Sequence, residues 1–220
     1  MAPVRAPDKR DLRHAARARR RDLASRMDRE AAAEALAEAV LRFVPEPARV
    51  AVYESLPDEP PTGHLVEALL AAGHDVIVPV VLDDFSLQWR YAVRGASGDR
   101  ATVSRPSRLG HSADDDERDG WLGTDALATC DLVVTPGLSV DTHGTRLGQG
   151  GGCYDRALVH RDAAAPVVTL LHEGEQSEDD LPCDAHDFPV DGYVTTSGRV
   201  VRLRWGAGAR PDQGSDQGPG

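Results

Sequence analysis

Between Arg146 and Arg156 the chain reads RLGQGGGCYDR, with four glycines in the five positions from Gly148 to Gly152. Glycine has no Cβ, so successive backbone N–H groups in such a run can approach an anion closely. Arg146 adds a guanidinium suited to phosphate oxygens. Asp155, just past the run, offers a carboxylate of the kind that binds Mg²⁺ beside phosphates. The spacing matches neither common phosphate motif. GxGxxG would need glycine at Cys153, and GxxxxGK[ST] would need a lysine. The residues alone therefore indicate a phosphate cradle, a plain flexible turn being the other reading, with Asp155 then only complementing a helix dipole. Gly150 and Gly151 are the positions where close backbone approach is expected.

A cradle needs elements to position it. "DLVVTP" (131–136) reads as a buried strand delivering the chain to the loop, and "GCYDRALVHR" as the first turns of a helix leaving it. In an open parallel sheet, ligands bind beyond the carboxyl ends of the strands. Further strands are expected at 49–53, 75–81, 166–171 and 192–196, with 86–93 as an edge strand or half a hairpin. A helix is expected at 61–74, ending at Gly73. Residues 8–44 are rich in Ala, Arg, Glu and Leu. They predict two helices broken near Ser25–Asp28, the second capped by Ser25 or Asp28. Strands alternating with helices define an α/β protein: three layers, a mostly parallel central sheet, Rossmann-like, with the N-terminal helices packed at the active site. The domain is expected to span 8–204, between a disordered start (1–7) and a disordered tail (205–220). An acidic stretch, "HSADDDERDG" (111–120), reads as a solvated insertion.

Composition narrows the functions. The 220 residues carry a net charge of −11, which disfavours nucleic acid or an anionic membrane as a bulk partner. No apolar run is long enough to span a bilayer. Cys130, Cys153 and Cys183 are odd in number and lack CxxC spacing, which argues against a disulfide framework or zinc site and for a reduced, cytoplasmic protein. A monomer is expected. One lysine, Lys9, stands against 24 arginines, and Lys9 and Arg13 are four apart on one helix face.

Together, four segments resemble the 5-formyltetrahydrofolate cyclo-ligase family. "DLVVTPGLSVDTHGTRLGQGGGCYDR" is similar to its glycine signature and "KRDLR" (9–13) to its K-x-x-L-R element. "VAVYESLPDEPPT" (50–62) and "DLPCDAHDFPVDGYVTT" (180–196) resemble two further family segments. The resemblance implies conversion of 5-formyltetrahydrofolate to 5,10-methenyltetrahydrofolate, with ATP as co-substrate and Mg²⁺. It implies that ATP is held by Lys9, Arg13, Arg146, Leu147, Gly148, Gln149, Gly150, Gly151, Gly152, Cys153 and Tyr154, with Lys9 and Arg146 acting at the transferred phosphate. It implies that Glu54, Glu59, Gly150 and Tyr154 contact folate, and that Asp155 and Asp187 hold the metal. Cys153 stands where the family often has an aromatic residue, and Glu54 where it often has an apolar one, which leaves that carboxylate free to point to solvent. His172 and Glu175 replace an aromatic-x-x-Q pattern. Two rival readings stand beside this one. One is a sugar-phosphate isomerase or CoA-transferase-like enzyme that needs no ATP; the other is a non-catalytic nucleotide- or folate-binding homologue.

Overall fold

The computed structural model describes residues 8–93 and 120–204. The expected disordered ends, 1–7 and 205–220, and the acidic stretch up to residue 119 lie outside the described residues. Helices α1 (Lys9–Arg26) and α2 (Arg29–Leu41) open the chain. The Asp8 side chain accepts from the Arg10 and Asp11 N–H groups, and Asp28 does the same for Glu30 and Ala31. Each aspartate thereby satisfies two of the unpaired donors at a helix start. Asp28, not Ser25, is the cap of α2.

Strands β1 (Arg49–Val52), β2 (Asp75–Val81), β3 (Leu87–Tyr91) and β4 (Leu132–Pro136) follow, with α3 (Gly63–Ala71) between β1 and β2. Then come β5 (Ser139–Val140), β6 (Arg146–Leu147), α4 (Cys153–Leu158), β7 (Val167–Leu171), β8 (Gly192–Thr195) and β9 (Val200–Arg202). Seven strands form one sheet in the order β3-β2-β1-β4-β7-β8-β9. Its five inner strands are parallel, and the two edge strands β3 and β9 are antiparallel to their neighbours. Most of the parallel strands are rich in Val, Leu and Ile on both faces because helices and loops cover both. Val50, Ala51, Val52, Val133, Val167 and Leu170 are fully buried. The expected α/β architecture is present, and "SLQWRYAV" is the edge strand β3.

Three features differ from expectation. The helix after the glycine loop is only six residues long, so its dipole is minor. The chain from 139 to 147 contains a small antiparallel hairpin, β5–β6, outside the main sheet. Of the two N-terminal helices only α1 reaches the site, whereas α2 packs against α3 and β8.

Candidate active site

The chain leaves β1 towards β2 on one side and later returns to β4 on the other side of β1. That reversal opens a crevice at the carboxyl ends of β1 and β4. A cavity of about 370 Å³ lies there, with Tyr53 and Glu54 after β1 and Pro136 and Gly137 at the end of β4 in its walls. The end of β2, Pro79 to Val81, closes a third side. The glycine loop borders the cavity from Gly148 to Gly152, together with Arg146, Leu147, Cys153, Tyr154 and Asp155.

The loop is held by two sets of arginine contacts. From α1, Arg13 Nε donates to the Gly148 carbonyl at 3.1 Å, and Arg17 Nη2 to the Gln149 carbonyl at 2.6 Å. From α4, Arg156 Nη2 donates to the Gly151 carbonyl at 2.8 Å and to the Phe85 carbonyl at 3.0 Å. Carbonyls are thus drawn to the arginines. Gly150 sits at φ +103 and Gly152 at φ +67, while Gly151 does not take a positive φ. The residues that need glycine for their backbone are therefore Gly150 and Gly152, not Gly151; a Cβ at Gly150 would also meet Arg13 at 3.4 Å and one at Gly152 would meet Arg156 at 3.0 Å.

The cations of the site are already partnered. Buried Arg146 bonds Asp155 (Nη2 to Oδ1, 2.8 Å) and the Pro136 carbonyl (3.2 Å), with its guanidinium 5.8 Å from the Tyr154 ring centroid. Lys9 Nζ bonds Asp184 at 2.6 Å and also bonds Asp187. Partial burial works against the Lys9 charge, but these two carboxylates outweigh it and raise its pKa above 10.5. Burial likewise works against the Asp187 carboxylate. The Asp184 N–H and the Lys9 ammonium prevail and hold its pKa below the ordinary value. Asp155 and Asp187 border the same cavity, and each faces a cation.

Asp184, His186 and Asp187 offer ligand atoms within 4.8 Å of one another. With Asp155 on the same rim, the donor set is mostly carboxylate oxygen, which fits a hard cation such as Mg²⁺. Asp184 was not singled out from the sequence, since one more acid in an acid-rich segment carries no pattern. Glu54, which also borders the cavity, is not free in solvent: its carboxylate meets Arg90 of β3 at 3.0 Å. Glu59 is buried and accepts from the Leu56 N–H at 3.0 Å. Tyr154 borders the cavity and its hydroxyl is buried. Burial pushes the Cys153 thiol above its ordinary pKa, so it stays protonated and is a poor nucleophile. Buried His172 bonds the Asp58 carbonyl at 2.9 Å and Glu175 is paired with Arg20, so neither borders the cavity.

Fold and site define an α/β protein whose glycine loop borders a cavity at the carboxyl edge of its sheet. The family model for the 5-formyltetrahydrofolate cyclo-ligase family matches residues 5–196, and the chain belongs to that family. A 5-formyltetrahydrofolate cyclo-ligase of Mycolicibacterium smegmatis is 31% identical over 161 residues, covering 70% of this chain and 77% of its own. The Escherichia coli K12 protein of the same name is 32% identical over 149 residues, 67% and 78% of the two chains. Among solved structures, Aquifex aeolicus 5,10-methenyltetrahydrofolate synthetase superposes with a TM-score of 0.59 at 26% identity, covering 94% of this chain and 98% of that one. No helix among the described residues is long and apolar enough to cross a membrane.

Proposed function

We propose that residues 8–204, acting as one unit, convert 5-formyltetrahydrofolate to 5,10-methenyltetrahydrofolate with ATP and Mg²⁺, releasing ADP and phosphate. The observation that carries this reading is the way α1 crosses the glycine loop. It brings Lys9 and Arg13 to the cavity that Arg146 also borders, and Glu54, Glu59 and Tyr154 line the same cavity. The cations suit the triphosphate, and Glu54, Glu59 and Tyr154 suit the folate.

Phosphoryl transfer asks chiefly for positioning and charge neutralisation. The loop N–H groups and Arg13 hold the nucleotide, and Arg146 and Lys9 donate to the oxygens of the transferred group. Asp155 and Asp187, with Asp184 nearby, would hold Mg²⁺, which neutralises phosphate charge when bound. The formyl oxygen attacks the γ-phosphorus and ADP leaves. N10 then attacks the activated formyl carbon and loses its proton, and the C–O bond breaks to release phosphate. Glu59 and Tyr154 orient the folate so that N10 stays against that carbon, a proximity effect. The same reading makes the protein a cytoplasmic monomer.

The test is the absorbance of the methenyl product. It is expected to rise only when ATP, Mg²⁺ and 5-formyltetrahydrofolate are all present. A rise without ATP would favour an isomerase-like chemistry, and none with folded protein would favour a binding homologue.

Lys9→Arg keeps the charge but replaces a compact ammonium with a planar fork. It is expected to slow turnover at least about tenfold, roughly 1.4 kcal/mol, with little change in Tm. Saturating MgATP is expected to protect Lys9 from amine-modifying reagents. Normal kinetics in the variant, together with unprotected labelling, would confine Lys9 to its ion pairs with Asp184 and Asp187.

A further inference from the structure

Arg20 lies on α1 eleven residues beyond Lys9, in a stripe with Arg13 and Arg17. It is the one fully buried residue of that helix, 1% exposed. A buried guanidinium is costly unless its donors are matched. Two of its nitrogens are. Nε and Nη2 grip the two oxygens of Glu175, also 1% exposed, each at 2.8 Å, and Nη2 bonds the Gly137 carbonyl as well. The third, Nη1, makes no hydrogen bond among the described residues. It faces Glu59 Oε1 at 3.9 Å, within ion-pair range. Glu59 is 4% exposed and borders the cavity. Its other oxygen is tethered to the Leu56 N–H.

We infer that Arg20 is a positioning residue for the reaction: Nη1 fixes the Glu59 carboxylate in the cavity wall while Nε and Nη2 lock α1 to Glu175. This rests on the folate reading of the Glu59 side of the cavity.

Two buried carboxylates share one guanidinium. Glu175 takes the paired geometry, so Glu59 holds its charge with one distant arm. Burial is the largest influence on Glu59 and raises its pKa, while the Leu56 N–H and then Arg20 oppose it. The other charged or titratable groups around Glu59 come from several elements. Arg29 of α2 bonds its carbonyl at 3.4 Å. Asp58 and Glu175 add negative charge, weaker than the opposing effect of Arg20. Tyr53 and Tyr154 lie within its field, both held neutral mainly by burial. The His172 ring bonds the neighbouring Asp58 carbonyl. Removing Arg20 and Glu175 together therefore leaves Glu59 harder to ionise, without stranding a buried charge.

The experiment compares the wild type, Arg20→Met/Glu175→Gln and Glu59→Gln across the pH range in which all three stay folded. For the folded double variant, KM for 5-formyltetrahydrofolate is expected to rise at least about tenfold at the acid end and to converge on wild type at the alkaline end. KM for ATP is expected to stay within about twofold, as for a loss confined to one ligand. Glu59→Gln is expected to raise the folate KM at every pH. In carboxyl ¹³C NMR, the Glu59 resonance, identified by its loss in Glu59→Gln, is expected to titrate at higher pH in the double variant. An unchanged Glu59 midpoint, or equal rises in both KM values that ignore pH, overturns the inference and leaves Arg20 a structural clamp. If the wild type forms no methenyl product, the folate reading fails while the NMR comparison still decides the Arg20–Glu59 link. If the double variant does not fold, Arg20→Lys keeps a charge against Glu175 but has no second arm for Glu59, and the same readouts decide.

Discussion

An Asp155→Asn protein is expected to melt near the wild-type temperature and to turn over about 10²–10³-fold more slowly, roughly 3–4 kcal/mol of lost transition-state stabilisation. The fold survives because Oδ1 is the atom that accepts from Arg146 at 2.8 Å, and an amide oxygen can do the same. What goes is the charge. Arg146 then meets a neutral partner, and the rim loses one of the carboxylates suited to a hard cation. Mn²⁺ binding, followed by electron paramagnetic resonance with ATP present, is expected to weaken in parallel, which separates a lost ligand from a misplaced arginine. Normal turnover of the variant at low Mg²⁺ would remove Asp155 from the proposed metal site.

The second large effect concerns stability. Asp141 is buried at the turn of the β5–β6 hairpin. Its Oδ1 accepts from the His143 and Thr145 N–H groups, and its Oδ2 from Leu181. Burial works against its charge, but the Leu181, Thr145 and His143 donors outweigh it and hold the pKa below the ordinary 3.8. Asp141→Asn turns an amide NH₂ towards the Leu181 N–H, so donor meets donor. The loss is expected to be about 2–3 kcal/mol, or roughly 4–12 °C in Tm for a chain of this size. The sign of the pH dependence follows from the depressed pKa. The contribution of the carboxylate is full above the unfolded-state pKa near 4 and fades as pH falls through the folded value. The Tm gap between wild type and variant is therefore expected to narrow below about pH 4. A gap independent of pH would mean that the cost is steric.

Four of the five inner strands were legible as Val/Leu/Ile-rich runs, and β8 as a short β-prone GYVT segment. Strand β9 was not, since Val200–Arg202 is three residues long and none of them is fully buried. The β5–β6 hairpin has two residues per strand. It is set by the side chain of Asp141, so no periodicity could announce it. The glycine loop was legible as a place for close backbone approach, but which glycines are obligatory depends on φ, and the backbone selects Gly150 and Gly152 over Gly151. Arg20 was hidden by composition. Among 24 arginines nothing in the residue type separates a buried one from solvated neighbours. Its spacing of four, four and three residues along Lys9, Arg13, Arg17 and Arg20 was the available signal. Glu54 and Arg90 are 36 positions apart and become partners only through the β1-β2-β3 order of the sheet.

Helix α1 has no buried apolar side chain, and its Leu12 and Leu23 are only partly covered. It is fastened by cations on carboxylates and carbonyls, whereas β4 and β7 are fastened by the core. Its undocking is therefore cheaper than global unfolding, and salt that screens the half-exposed pairs makes it cheaper still. Amide hydrogens of α1 would then exchange faster as ionic strength rises, while those of β4 and β7 would not respond. An anionic ligand that bonds to Lys9 and Arg13 adds to that fastening by mass action. Nucleotide affinity in this protein would thus include the free energy of seating a helix.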